Sequence, residues 1–206
     1  MNALLRLYQP AHQALQRTSF ADGLAPLLLR LYLAPVMMQA GWNKLSHFED
    51  TANWFGNPDW GLGLPAPELM TALAAGTEFF GGVLLLLGLA IRWISIPLMV
   101  TMLVAAFAVH WPNGWLAIAD ASSWLANDRV LEAAERLERA KSILREHGNY
   151  SWLTGRGSVV ILNNGIEFAI TYFVMLLSLF FTGGGRYTSL DYWLARRFQL
   201  LPEGQR

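Results

Sequence analysis

The sequence predicts an all-α integral membrane protein, a four-helix bundle with an amphipathic helix in the long loop between spans three and four. Three observations predict it. The 206 residues are 54% hydrophobic and only 15% charged, whereas soluble domains carry about 25% charged residues. Four apolar stretches come close to the length of about 20 residues that crosses a hydrocarbon core. Each also contains or adjoins an ionisable side chain, a type rare in a bilayer and usually facing a partner, a cavity or a ligand.

The length suits one domain over residues 1–206. Residues 1–23 lack the unbroken apolar core of a cleaved signal. Leu4, Leu7, Tyr8, Ala11 and Leu15 recur there at helical spacing, which predicts a short amphipathic helix lying on the membrane. The first span is expected at about 24–45, the second at about 68–91, the third at about 93–110 and the fourth at about 159–181. Arg92 is expected to separate the second from the third, making a tight hairpin. Between the first two spans, WFGNPDWGLGLPAPE is rich in Gly and Pro and predicts irregular structure.

The insertion between the third and fourth spans contains DRVLEAAERLERAKSILREHG. Its pattern predicts a helix at about 128–147, with Asp128 as N-cap and Gly148 as the stop. Val130, Leu131, Ala134, Leu137, Ala140, Ile143 and Leu144 form its apolar stripe. Glu132–Arg136 and Glu135–Arg139 stand at i,i+4 spacing. The stripe suits packing on the bundle or the membrane, or docking of a partner helix.

Four spans place both termini on one side. That side holds Arg6, Arg17, Arg92, Arg186, Arg196, Arg197 and Arg206, and several of these lie close to span ends. The opposite side holds Lys44 and six more basic residues in the insertion, an equal count, so the nearness of the termini-side arginines to span ends decides, and the positive-inside rule predicts cytoplasmic termini in the inner (plasma) membrane. Trp42, Trp54, Trp60, Trp111, Trp115, Trp124 and Trp152 fall on the outer side. Seven exceed what interfacial anchoring requires, so they are expected to cap the bundle or line an entrance.

Fifteen basic and fifteen acidic residues balance, so no basic excess points to nucleic acid. The absence of cysteine excludes disulfides, thiolate metal sites and Fe–S ligation by this chain alone. His12, His47, His110 and His147 include no pair at ligand spacing. Met99, Met102 and Met175 read as packing rather than as a thioether site. No metal site is therefore assigned.

The candidate site is an intramembrane polar cluster of Arg30, Lys44, Glu78, His110, Asn163, Asn164 and Glu167. At 1.5 Å rise per residue, Glu78 is expected about 15 Å and Glu167 about 12 Å below the outer ends of their spans. Lys44 and His110 are expected at the outer ends themselves. Arg30 lies nearer the inner end, within reach of Glu78 or of the cytoplasmic interface. Buried pairs of this kind can fix helix register. An unpaired carboxylate among them would have a raised pKa and suit proton transfer or quinone chemistry. Gly81, Gly82 and Gly88 permit close helix approach.

The stretches RLYLAPVMMQAGWNKL, EFFGGVLLLLGLAIR and GGGRYTSLDYWLARR together resemble the DoxX family of small four-helix membrane proteins. Arg30, Gly41 and Lys44 match its first helix. Glu78, Gly82 and Gly88 match its second, and Ser189-Leu190-Asp191 matches its closing turn. Ala34 stands where that family commonly has Gly, and Pro35 is expected to kink the first helix. With its Trp-rich insertion the chain resembles the HvfX-type branch, which is associated with maturation of copper-binding ribosomal peptides. The resemblance implies an accessory protein for maturation or export of such a peptide in metal stress. Its partners would be the bilayer and a peptide-modifying enzyme. The alternative it implies is a quinone-linked subunit of a membrane oxidoreductase complex, with a redox subunit as partner and quinone as the candidate cofactor. Whether the chain is itself an enzyme stays open.

Overall fold

The computed structural model describes residues 21–200 together with Tyr8, Pro10, His12, Gln13, Ala14 and Gln16. Most of the amphipathic helix expected within residues 1–23 lies outside the described residues. The described residues are helical, apart from turns, loops and one isolated bridge between Ile118 and Leu162. The helices are α1 (Leu24–Ser46), α2 (Phe48–Gly56), α3 (Pro67–Leu87), α4 (Ile91–Val104), α5 (Asp128–His147), α6 (Tyr150–Leu153), α7 (Glu167–Thr182) and α8 (Leu190–Arg197). A π-helical turn, Ala105–His110, and a 3₁₀ turn, Trp111–Asn113, continue α4. The chain divides into two compact units, residues 1–99 with 174–206 and residues 100–173.

Among the described residues, three helical stretches are long and apolar enough to cross a membrane: Leu24–Ser46, Pro67–Leu87 and Ile91–Asn113. Only 33%, 33% and 22% of their apolar windows are buried. Leu28, Leu31, Leu73, Phe80, Ile96 and Val104 are all exposed. Surfaces this apolar are stable where lipid replaces water, with every backbone group satisfied inside the helix. Pro35 in α1 and Pro97 in α4 leave both helices continuous.

In the first unit α1 and α3 pack against each other. On α1 the buried positions are Pro26, Arg30, Leu33, Ala34, Met37 and Gly41, one helical face. On α3 they are Thr71, Ala75, Glu78, Gly81, Gly82 and Leu85. Glycine sets the approach. A Cβ on Gly41 would run into the backbone of Phe79, and one on Gly82 would come within 2.6 Å of Met38 Cγ and 2.9 Å of Ala34 O. The pairing of 41 with 79 and of 82 with 34 and 38 makes the two helices antiparallel.

Several expected boundaries move. Residues 88–90, not Arg92, turn α3 into α4. Gly88 and Ala90 adopt positive φ, and Arg92 lies inside α4. The first loop is partly ordered, because residues 48–56 form α2 and only 57–66 are irregular. In the second unit α5 occupies 128–147 as expected, but its N-cap is Asn127, whose side chain accepts from Val130 N at 3.1 Å.

The largest correction concerns the fourth span. The helix expected from about 159 begins at Glu167 and has 16 residues, shorter than the other three. Residues 161–167 instead lie alongside 114–119. Asn163 N and Asn164 N both donate to Ala117 O at 2.9 Å, Gly165 N to Leu116 O at 3.0 Å and Glu167 N to Trp115 O at 3.0 Å. Asn164 at φ 58° and Gly165, whose Cβ would meet Leu116 O at 2.5 Å, hold this irregular path. The unit's small core is Ala106, Ile166 and Ala169, flanked by Ala105 and Ile170.

Candidate functional site

The first unit holds a buried ion pair between α1 and α3. Lys44 Nζ donates to Glu78 Oε2 at 2.5 Å, with side chains 27% and 6% exposed. The antiparallel register explains the match, since Gly41 sets α1 against the turn of α3 that carries Glu78 and lets the Lys44 stem reach it. On the same face of α3, the Thr71 hydroxyl is fully buried without a hydrogen-bond partner among the described residues.

Arg30 does not pair with Glu78. Its Nη1 donates to Gly184 O at 2.7 Å and its Nη2 to Thr188 O at 3.0 Å, and the residue is 1% exposed. Backbone carbonyls engage these two nitrogens because the α7–α8 loop, with its run of glycines, folds over the N-terminal part of α1, while the buried Nε has no partner among the described residues. Gly88 leaves room for this arrangement, since a Cβ there would strike the Arg30 guanidinium and lie 2.7 Å from Ser189 Cβ. The Asp191 carboxylate accepts from Ala90 N at 2.7 Å and Ile91 N at 2.9 Å, capping α4. Ser189 Oγ accepts from Tyr192 N at 3.2 Å, capping α8. Asp191 stands outside the expected cluster. Its signal is the Ser-Leu-Asp run opening a helix, but nothing in that run says that the acid caps a different helix.

The second unit gathers the remaining candidates. Asn163, 2% exposed, donates to Asn113 O at 2.8 Å and Leu116 O at 2.7 Å, and accepts from Arg129 Nε at 3.2 Å. Asn164 O stands 2.9 Å from His110 Nδ1 and accepts from Asn113 Nδ2 at 3.0 Å. Glu167 Oε2 accepts from Ala117 N at 2.9 Å. Asn163 and Asn164 therefore lie on irregular backbone, and Glu167 opens α7 instead of sitting within it. Asn113 and Arg129 join this cluster although no local pattern in the sequence marks them.

The structure thus joins Lys44 with Glu78, ties Arg30 to the α7–α8 loop, and assembles His110, Asn163 and Asn164 around one loop crossing near Glu167. Of the tryptophans, Trp60 lines a hollow of about 640 Å³ with Asp50, Asn53, Asn57 and Pro67. Trp124 and Trp152 stand 91% and 77% exposed.

These features define a multi-span membrane protein whose helix packing encloses charged groups. Residues 25–111, from α1 through the π-helical turn, match the DoxX family model. No curated protein and no solved structure is similar enough to be matched to the chain.

Proposed function

We propose that the protein is an HvfX-type accessory of the inner membrane that assists maturation or export of a copper-binding ribosomal peptide. The observation that carries this reading is the uncovered apolar surface of the insertion. Trp124 is almost wholly and Trp152 largely exposed, and on α5 the expected apolar stripe buries only Val130, leaving Leu131 and Ile143 about half exposed. Large aromatic side chains left open on a surface mark interaction sites. The occupant proposed here is the peptide or the enzyme that modifies it.

The orientation proposed with it has both termini in the cytoplasm. In its support, Gly23 O at the start of α1 accepts from Thr188 Oγ1, and Asp191 on α8 caps the start of α4. The two ends of the described chain thus share the end of the first unit that carries Arg92, Arg186, Arg196 and Arg197. The positive-inside rule assigns such an end to the cytoplasm.

Removing residues 128–147 tests the docking role. The shortened protein is expected to lose co-purification with the modifying enzyme while its DoxX-like region still inserts. Undiminished co-purification would defeat the reading.

A second reading, a quinone-linked oxidoreductase subunit, draws on the Lys44–Glu78 pair within the span region. An ammonium and a carboxylate can donate to and accept from a quinone head. Here, however, each engages the other, so a quinone must displace that pairing, and the accessory reading is preferred. Full quinone-dependent turnover in Glu78→Gln would remove the carboxylate from any proton relay.

A further inference from the structure

We infer that the α3–α4 turn and the α7–α8 loop form a binding site for the anionic headgroup of a phospholipid. A cleft of about 250 Å³ opens there, lined by Ala90, Arg92, Trp93, Gly183, Gly184 and Asp191. Arg92 is exposed, and its Nη2 donates to Phe181 O at 3.1 Å. That bond fixes the guanidinium beside the cleft and leaves its other N–H groups without a partner among the described residues. Gly183, at φ 75°, turns the chain beside the cleft, where a Cβ would make only ordinary contact with Arg92 Nε at 3.5 Å. Planar guanidinium donors suit phosphate oxygens.

The acidic member of the lining turns its oxygens away from the cleft's donors, although its charge remains and the arginines must outweigh it. Both Asp191 oxygens are engaged by backbone N–H groups at the α4 start. The other acid nearby, Asp22, pairs with Arg186 at 3.4 Å. The exposed Arg196 and Arg197 add positive charge on the same unit, Arg196 standing 5.5 Å over the Trp193 ring.

Apolar side chains surround these cations. Trp93 is 79% exposed and Phe198 67%, with Leu190, Trp193 and Leu194 also open. The site lies where α3 ends, α4 begins and α7 ends, which is the depth of headgroups for spanning helices. Aromatic rings and arginines together at that depth match a leaflet rich in anionic lipid. This charge complementarity commits the site to a lipid rather than to a soluble anion, and it holds whether or not the peptide role does.

The test uses the full chain in detergent micelles, titrated with phosphatidylglycerol or phosphatidylcholine and read by native mass spectrometry. Phosphatidylglycerol is expected to be retained several-fold more than phosphatidylcholine, with the preference reduced several-fold in Arg92→Gln. Equal retention of the two lipids would overturn the site, as would an unchanged preference in Arg92→Gln. Should that variant fold poorly, Arg196→Gln with Arg197→Gln replaces it, because neither side chain bonds a backbone carbonyl among the described residues. A weakened preference there supports the site, and an unaltered one overturns it. Displacement of the lipid by inorganic phosphate alone would make the ligand a soluble anion and would also overturn it.

Discussion

Lys44 and Glu78 illustrate how a charge is accommodated inside helix packing. Removing one partner leaves the other buried and uncompensated, at a cost of about 3–5 kcal/mol. Lys44 retains some exposure, so Lys44→Met is expected at the lower end of that range, read as a fall in melting temperature in detergent. Lys44→Met with Glu78→Leu should be clearly less unstable than the single change, because no unpaired charge remains. Asp191→Ala removes the acceptor for two N–H groups at the start of α4 and is expected to cost about 1–2 kcal/mol. Increased protease cutting in the α7–α8 loop would report it. Arg30, Lys44 and Glu78 are legible in the sequence as charges beside or within apolar runs. Their partners are not, because choosing between Lys44 and Arg30 for Glu78 depends on the register of α1 against α3. The carbonyls that Arg30 does engage come from a loop far along the chain, at Gly184 and Thr188.

At the scale of elements, the α1–α3 contact depends on glycine. Gly82→Val would drive side-chain atoms into Met38 and Ala34 and is expected to abolish accumulation of folded protein. Gly76 on the same helix has open space where a Cβ would stand, with nothing within 4 Å. Gly76→Ala should therefore be tolerated and gain about 0.5–1 kcal/mol of helix propensity. A Gly76→Ala protein as damaged as Gly82→Val would show that the close approach is not where the structure puts it. The first three long helices and α5 are readable within a few residues, because apolar length and charge periodicity are local signals. The start of α7 is not. Residues 159–166 lead into an apolar run and read as its first turns, but their N–H groups from Asn163 onward bond 114–119. No local pattern announces a pairing across an insertion of that length. α2 is hidden in the same way, since its Trp and Phe adjoin a Gly- and Pro-rich stretch that reads as loop.

For the whole molecule, the native absence of cysteine allows single-cysteine variants to report orientation without background. Cysteine at Trp124 is expected to react with an impermeant thiol reagent added outside intact cells, and cysteine at Gln199 only after the membrane is opened. The reverse pattern would invert the proposed orientation. At this scale the membrane and the DoxX resemblance are legible in the sequence; the division of the expected polar cluster between two units follows only from the long-range hydrogen bonds. The central proposal is that the insertion serves a copper-binding peptide. Its most direct test is gentle extraction of the full chain from its own membrane, followed by mass spectrometry of bound small molecules and co-purifying proteins. The proposal predicts the peptide or its modifying enzyme, retained without a quinone. A stoichiometric quinone with neither of them would contradict it.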